Sequence, residues 1–214
     1  NSRANYCKVD LPERAVHRTE RHIIQQICEC YGIENPELKC RINLTEEENL
    51  FAKKIHDSRL KGRPFLTIEP FSKSNYTPNR NYPFEKWQKI VNRLSSEIDF
   101  VQVGNPGKVL NNVVNMTGKT SFREAVALIS KSSLFLATES GLVHAATAVN
   151  TKSVVIMTGY QSLEMVSYPQ NINIDISSHG PCGLKIECAE CKMDAQNHDF
   201  QEVVNLVKLE LDRE

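Results

Sequence analysis

The residues best placed to do chemistry sit together at Thr138-Glu139-Ser140-Gly141, with His144 one helical turn further on. An apolar run, Leu134–Ala137, ends there, and a helical run, Leu142–Val149, begins. The first amides of a helix lack intrahelical partners and carry a partial positive charge. Gly141 lets a ligand oxygen come close to the backbone, Ser140 can donate to an anion, and His144 lies on the side facing the rim. That set suits a phosphate or diphosphate. The same residues also read as pure structure, with Ser140 an N-cap and His144 a satisfied core histidine. Neither G-x-x-x-x-G-K-[ST] nor G-x-G-x-x-G occurs, and "VGNPGKVLN" carries its two glycines at the wrong spacing. Positive charge must therefore come from loops. Arg80, Lys119 and Lys73 are the candidates, each of which also reads as solvated surface charge.

A second constellation is Cys182-x5-Cys188-x2-Cys191, with His179 and His198 beside it. A Cys-x-x-Cys pair is half of a typical zinc or iron site, and three thiolates with one imidazole (His179) complete four ligands. No second Cys-x-x-Cys follows, so buried or free thiols are the competing reading. Cys28-x-Cys30 has poor metal spacing and reads as two cysteines on a helix face. Seven cysteines at scattered spacing argue against a closed disulfide framework and for a reducing, cytoplasmic compartment.

The elements that must position these groups alternate. Residues 1–12 read as a loose entry, and Glu13–Tyr31 as a helix stopped by Gly32. Thr45 and Glu48 form a capping box ahead of a helix that turns Leu50, Phe51 and Ile55 inward. From Phe65 onward strands are expected at Phe65–Ile68, Phe100–Val103, Leu134–Ala137, Val154–Met157 and Ile172–Ile176. Helices are expected after Pro83, after the Ser121/Glu124 capping box, over Leu142–Val149 and from Phe200 to Leu211. Such alternation marks an α/β fold, a parallel sheet with helices on both faces, preceded by a helical segment. The expected division is a helical segment over residues 1–62 and an α/β domain over residues 63–214. In an open parallel sheet, ligands bind beyond the carboxyl ends of the strands. The polar junctions Glu69–Tyr82, Gly118–Ser121 and Thr138–Gly141 then share one rim.

The 214 residues carry 26 basic and 26 acidic side chains, so no net field draws the chain to nucleic acid. No apolar run approaches the roughly 20 residues of a bilayer span. The N-terminus does not read as a secretory signal.

Together these junctions resemble glycosyltransferase family 9, the ADP-heptose:lipopolysaccharide heptosyltransferases. "GKTSFREAVALISKSSLFLATESGLVHAATAVNTKSVVIMTG", Gly118–Gly159, is similar to that family's pattern G-K-T-S-L-x-E, then D-T-G-x-x-H-x-A-A-A, then G-P. "TIEPFSKSNYTPNRNYPFEKWQKIVNRL" resembles its strand–loop–helix stretch, and "CGLKIECAECKM" its C-terminal region. The resemblance implies a GT-B fold of two Rossmann-like domains facing a cleft. This chain is then the C-terminal, donor-binding domain, Rossmann-like and nucleotide-sugar-binding over residues 63–214, with residues 1–62 a remnant of or link to the N-terminal domain. It places Glu139, Ser140, Gly141 and His144 on the diphosphate and sugar. Arg80 falls where the family has a phosphate-binding lysine, Ser72 in a phosphate loop, and Met116 and Gly118 near the nucleotide edge. Two departures stand out: Glu139 replaces an aspartate and Arg80 a lysine. The implied donor is a nucleotide-diphosphate sugar, ADP-heptose first, and the implied acceptor a lipopolysaccharide or other glycan. No cofactor is required. Some relatives that modify autotransporters use cysteine-bound iron, which bears on the cysteine cluster as a structural zinc or iron site. The family's catalytic base is a carboxylate in the acceptor domain. No Rossmann-like block precedes residue 65 here, so the base is unassigned and a fragment of a longer enzyme is expected. The alternatives are a non-catalytic sugar-nucleotide-binding module and another GT-B enzyme such as a UDP-sugar epimerase.

Overall fold

The computed structural model describes residues 21–71 and 76–213. Its strands are β1 (Phe65–Glu69), β2 (Asp99–Gln102), β3 (Val114–Asn115), β4 (Leu134–Thr138), β5 (Ser153–Met157) and β6 (Ile172–Asp175). The helices are α1 (Ile23–Glu29), α2 (Glu46–Leu60), α3 (Phe84–Leu94), α4 (Phe122–Ile129), α5 (Gly141–Ala148), α6 (Leu163–Val166), α7 (Ala189–Asn197) and α8 (Phe200–Leu211). All strand pairs are parallel, and the sheet runs β3-β2-β1-β4-β5-β6. This is the doubly wound order of a Rossmann-like sheet, and its direction reverses between β1 and β4. The register there sets Leu66 beside Leu134 and Glu69 beside Ala137.

β1, β4 and β5 are buried along their whole length, as parallel strands covered on both faces must be. Alternate side chains go to opposite faces. Phe65, Phe135, Ala137, Val155 and Met157 meet Ala52 of α2, Val126 and Ile129 of α4 and Val143 of α5. Leu66, Ile68, Leu136, Val154 and Ile156 meet Trp87, Ile90 and Leu94 of α3 and Val203, Val204 and Val207 of α8. The helical segment ahead of β1 thus shares a core with the sheet through α2.

Helix starts follow their side chains. The Glu48 carboxylate accepts the Thr45 N–H at 2.8 Å, while Thr45 Oγ1 accepts the Glu48 N–H at 3.3 Å. Ser121 and Glu124 repeat the pattern at 2.7 and 3.2 Å at the head of α4. α2 ends in left-handed Lys61 (φ 54°) and Gly62 (φ 74°).

Several local expectations are corrected. Leu50 is 58% exposed, because α2 turns Phe51 and Ile55 to the sheet instead. In the expected Glu13–Tyr31 helix, residues 13–20 lie outside the described residues; helix is present over Ile23–Glu29, with Ile27 and Tyr31 facing out. β3 and the helices α6 and α7 stand where no element was expected.

Candidate functional site

The carboxyl ends of the strands form the rim, and each contributes a loop. The turn after β1 carries Tyr76 and a 3-10 turn, Pro78–Arg80. Ser140 follows β4 and caps α5, its Oγ accepting the Leu142 N–H at 3.2 Å. The same hydroxyl donates to Glu69 Oε2 at 2.5 Å. Ser140 is therefore a cap and also a bridge across the point where the strand order reverses. A cavity of about 300 Å³ opens there, walled by Glu69, Gly104, Thr120, Ser121, Ser140 and Gly141, with Arg80 at its edge. A second, of about 340 Å³, is lined by Tyr76, Arg80, Glu139, Ser140, His144 and Gln161, among others.

Arg80 links the two cavities. Its Nε donates to Glu139 Oε1 at 2.9 Å, and its Nη2 donates to Gln161 Oε1. The guanidinium carbon lies 4.8 Å from the Tyr76 ring centre and 5.0 Å from that of Tyr160, a double cation–π contact. The charge expected of Arg80 is present but already paired. Glu139 is 3% exposed, and burial pushes its carboxyl up to about 7 against the pull of Arg80. Burial likewise pushes Glu69 up to about 7, opposed by the Ser140 hydrogen bond. At neutral pH both acids sit near the balance between charged and neutral forms.

His144 joins the second cavity, and its Nδ1 lies 2.7 Å from the Tyr168 hydroxyl. Burial, aided by His22 and Arg80, lowers it to about 4, so it is a neutral imidazole. It holds a core hydrogen bond and lines the cavity at once.

The structure thus brings Arg80, Glu139, Ser140, Gly141 and His144 around one space. Met116 is buried in the core and Gly118 packs on Pro106; neither lines these cavities. The Gly118 N–H donates to Gly104 O at 2.9 Å, and Gly104 does line the first. Ser72 and Lys73 lie outside the described residues. Lys119 donates to Asn115 O at 3.0 Å on the exposed surface. Glu69, Tyr76, Tyr160 and Gln161 were not singled out from sequence. Glu69 opens one of the three polar junctions, but only the strand order sets it against Ser140.

The cysteine cluster is assembled. Ligand atoms of His179, Cys188 and Cys191 all lie within 4.8 Å of one another. Cys191 Sγ is 3.6 Å and Cys188 Sγ 3.7 Å from His179 Nε2, and Cys191 Sγ is 3.4 Å from Cys182 Sγ. Cys182 touches the group through both Cys191 and Cys188, outside the mutual range that the other three share. Around one tetrahedral zinc, two sulfurs stand about 3.8 Å apart and a sulfur and an imidazole nitrogen about 3.6 Å. The opposite ring nitrogen, His179 Nδ1, is 3.2 Å from Asp194 Oδ2, the carboxylate backing that orients a ligating imidazole. The donor set fits a thiophilic ion. His198 does not belong to it: its Nδ1 meets the Tyr82 hydroxyl at 2.8 Å and its Nε2 meets Glu202 at 3.1 Å.

With this geometry in hand, comparison with known proteins gives a consistent family. The family model "Glycosyltransferase family 9 (heptosyltransferase)" matches residues 4–193. Among solved structures, the chain is similar to ADP-heptose lipopolysaccharide heptosyltransferase II of E. coli, at 18% identity and a TM-score of 0.66 over 86% of this chain and 57% of that one. It is similar to a family 9 glycosyl transferase of Veillonella parvula, at 16% identity and 0.70 over 92% and 62%. It is also similar to the iron-containing dodecameric glycosyltransferase TibC of enterotoxigenic E. coli, at 18% and 0.63 over 85% and 50%; TibC is also known in complex with ADP-D-β-D-heptose. These likenesses show a shared fold, and the chain spans little more than half the length of these proteins. No curated protein sequence matches it. The chain belongs to glycosyltransferase family 9, the heptosyltransferase family.

Proposed function

We propose that this chain is the donor-binding part of a glycosyltransferase that uses a nucleoside-diphosphate sugar, ADP-heptose being the first candidate, to glycosylate a lipopolysaccharide-type or other glycan acceptor. The observation that carries this is the meeting of Arg80, Ser140 and the start of α5 at the point where the strand order reverses. An anion there is offered a guanidinium, a hydroxyl and the positive end of a helix dipole. Gly141 is exposed with open space beside its backbone, so nothing blocks that approach.

In this reading the diphosphate lies between Arg80 and Ser140-Gly141, and the sugar extends toward Glu139 and His144. Neutral His144 donates or accepts a hydrogen bond with a sugar hydroxyl. Glu139, longer than the family's aspartate, is turned onto Arg80. Met116 and Gly118 act from behind, by fixing the Gly104 loop at the nucleotide edge. Ser72 is assigned to the phosphate side.

The reaction is a direct displacement. The acceptor hydroxyl oxygen forms its bond to the anomeric carbon while the bond from that carbon to the diphosphate oxygen breaks. The hydroxyl proton passes to a base on the acceptor side. The electron pair leaves on the diphosphate, and Arg80 with the α5 amides stabilises that charge as it grows. Fixed dipoles and a guanidinium suffice for this step, which requires no cofactor. Residues 1–62 are taken as the link to an acceptor-side domain. Free thiols and a nucleotide-activated donor go with a cytoplasmic setting, peripheral to the inner membrane. Among the described residues no helix is long and apolar enough to cross a membrane.

A structural zinc or iron ion belongs to the same reading, held by Cys182, Cys188, Cys191 and His179. Such an ion supplies cross-linking of an otherwise irregular loop.

Calorimetric titration with ADP, GDP and UDP tests the donor site. Binding of ADP in preference to the others, weakened in Ser140→Ala/His144→Ala, is expected. No binding of any of the three at millimolar concentration would refute the assignment.

A further inference from the structure

Between β6 and α7, residues 176–188 run without helix or strand, and they carry His179, Cys182 and Cys188. One buried side chain, Asn79, fastens the second half of this segment at several points. Asn79 Nδ2 donates to Leu184 O at 2.9 Å and to Ile186 O at 2.8 Å, and sits 3.6 Å from Cys182 Sγ. Its Oδ1 accepts the Cys188 N–H at 2.9 Å. Thr77 Oγ1 adds a bond to Leu184 O at 2.9 Å. Asn79 is the middle residue of the Pro78–Arg80 turn, so the next side chain along is the guanidinium of the donor cavity.

The other wall of that guanidinium hangs on the same segment. The Cys182 N–H donates to Gly159 O at 2.8 Å and the Gly183 N–H to Tyr160 O at 3.1 Å. Gly159 has no room for a side chain, because a Cβ there would lie 2.6 Å from Ser177 Oγ and 3.3 Å from Cys191 Sγ. Tyr160 and Gln161, which follow it, are the face and the acceptor that hold Arg80. Both sides of the arginine clamp are thus fastened to the backbone that carries the cluster's cysteines.

We propose that the cysteine–histidine cluster positions Arg80. Metal on Cys182, Cys188, Cys191 and His179 fixes the 182–188 segment, that segment fixes Asn79 and Gly159–Gln161, and these aim the guanidinium at the donor's diphosphate. Asn79 is the positioning residue that joins the two sites. The inference rests on the donor-site reading above and on the fit of the cluster to a metal ion. Its physical basis is order: an irregular segment whose three ligands share an ion with Cys191 of α7 keeps one arrangement, and samples several when they do not. Coupling of this kind requires a contact that differs between the two states, and the Asn79 bonds are the contact assigned to it by the proposal.

The test follows Arg80 directly. In chain labelled with 15N-arginine, the Arg80 Nε–H signal is identified by its loss in Arg80→Lys. Its exchange with water reports the bond to Glu139. Removing metal with a chelator under reducing conditions is expected to speed that exchange and weaken ADP binding, each by about tenfold or more. Zinc or ferrous iron is expected to restore both. Asn79→Ala is expected to do the same to Arg80 while its zinc or iron content remains that of the unmodified chain, with the far-ultraviolet circular dichroism unchanged. Should Asn79→Ala not fold, stripping and refilling the unmodified chain answers alone. An Arg80 signal indifferent to metal overturns the proposal, as does a chain that takes up neither zinc nor iron. An Arg80 signal that responds in a chain that never binds ADP sustains the coupling and sinks the donor-site reading instead.

Discussion

Glu69 and Glu139 are two buried carboxylates, one on each of the two cavities that Arg80 links, the first bonded to Ser140 and the second to Arg80. Burial raises both to about 7. A carboxyl whose pKa is raised by folding binds its proton more tightly folded than unfolded, so stability is lost as pH climbs from about 4.5 to 7. Glu69→Gln cannot ionise and keeps an oxygen for the Ser140 hydroxyl. Its melting temperature is expected to match the unmodified chain at pH 5 and exceed it by several degrees at pH 8. A gap independent of pH would show that Glu69 is ionised throughout. A diphosphate arriving beside these acids raises their pKa further, so binding takes up protons and weakens above about pH 7. Calorimetry in two buffers of different ionisation enthalpy measures that uptake; equal heats would contradict it. At this scale the sequence was informative where one local junction held everything, as at Glu139-Ser140-Gly141 and His144. It was silent on Glu69, Tyr160 and Gln161, because strand order and loop packing bring them in from afar: Gln161, with its neighbour Tyr160, to Arg80 across 81 positions, and Glu69 to Ser140 across 71.

The elements owe their ends to short-range chemistry, and most were legible for that reason. Capping boxes at Thr45 and Ser121 announced α2 and α4, and Pro83 announced α3. Ser121→Ala removes one half of a reciprocal cap and is expected to cost about 1 kcal/mol, read as a melting point lowered by 2–4 °C. Trp87→Ala opens a cavity in the core and is expected to cost about 3–5 kcal/mol by denaturant unfolding. β3 escaped notice because two residues show no periodicity. α7 escaped because Cys191 and Ala195 are its buried residues among a run of polar ones. Gly118 is a different case: it takes φ 67°, and a Cβ would meet Pro106 Cγ at 2.7 Å. Gly118→Ala is therefore expected to lower stability by about 1–3 kcal/mol and to disturb the Gly104 loop at the cavity wall. A stable variant with unchanged nucleotide affinity would detach that loop from the site.

At the scale of the molecule, one parallel sheet does two things. Its reversal between β1 and β4 opens the space around which Arg80, Ser140 and the head of α5 meet. Its far edge, past β6, carries the cysteine–histidine cluster whose loop returns to hold Arg80 through Asn79. Alternation of strand and helix made the fold class readable in the amino-acid sequence, since the two periods differ and each recurs. Strand order did not follow from periodicity, and it decides which loops meet. The central claim is that the diphosphate of an activated sugar sits at that meeting point. A crystal structure of the chain with ADP measures this most directly. The account predicts β-phosphate oxygens within hydrogen-bond distance of the Arg80 guanidinium and of the Ser140-Gly141 backbone or hydroxyl. ADP bound elsewhere, with Arg80 still closed on Glu139 and Gln161, would contradict it.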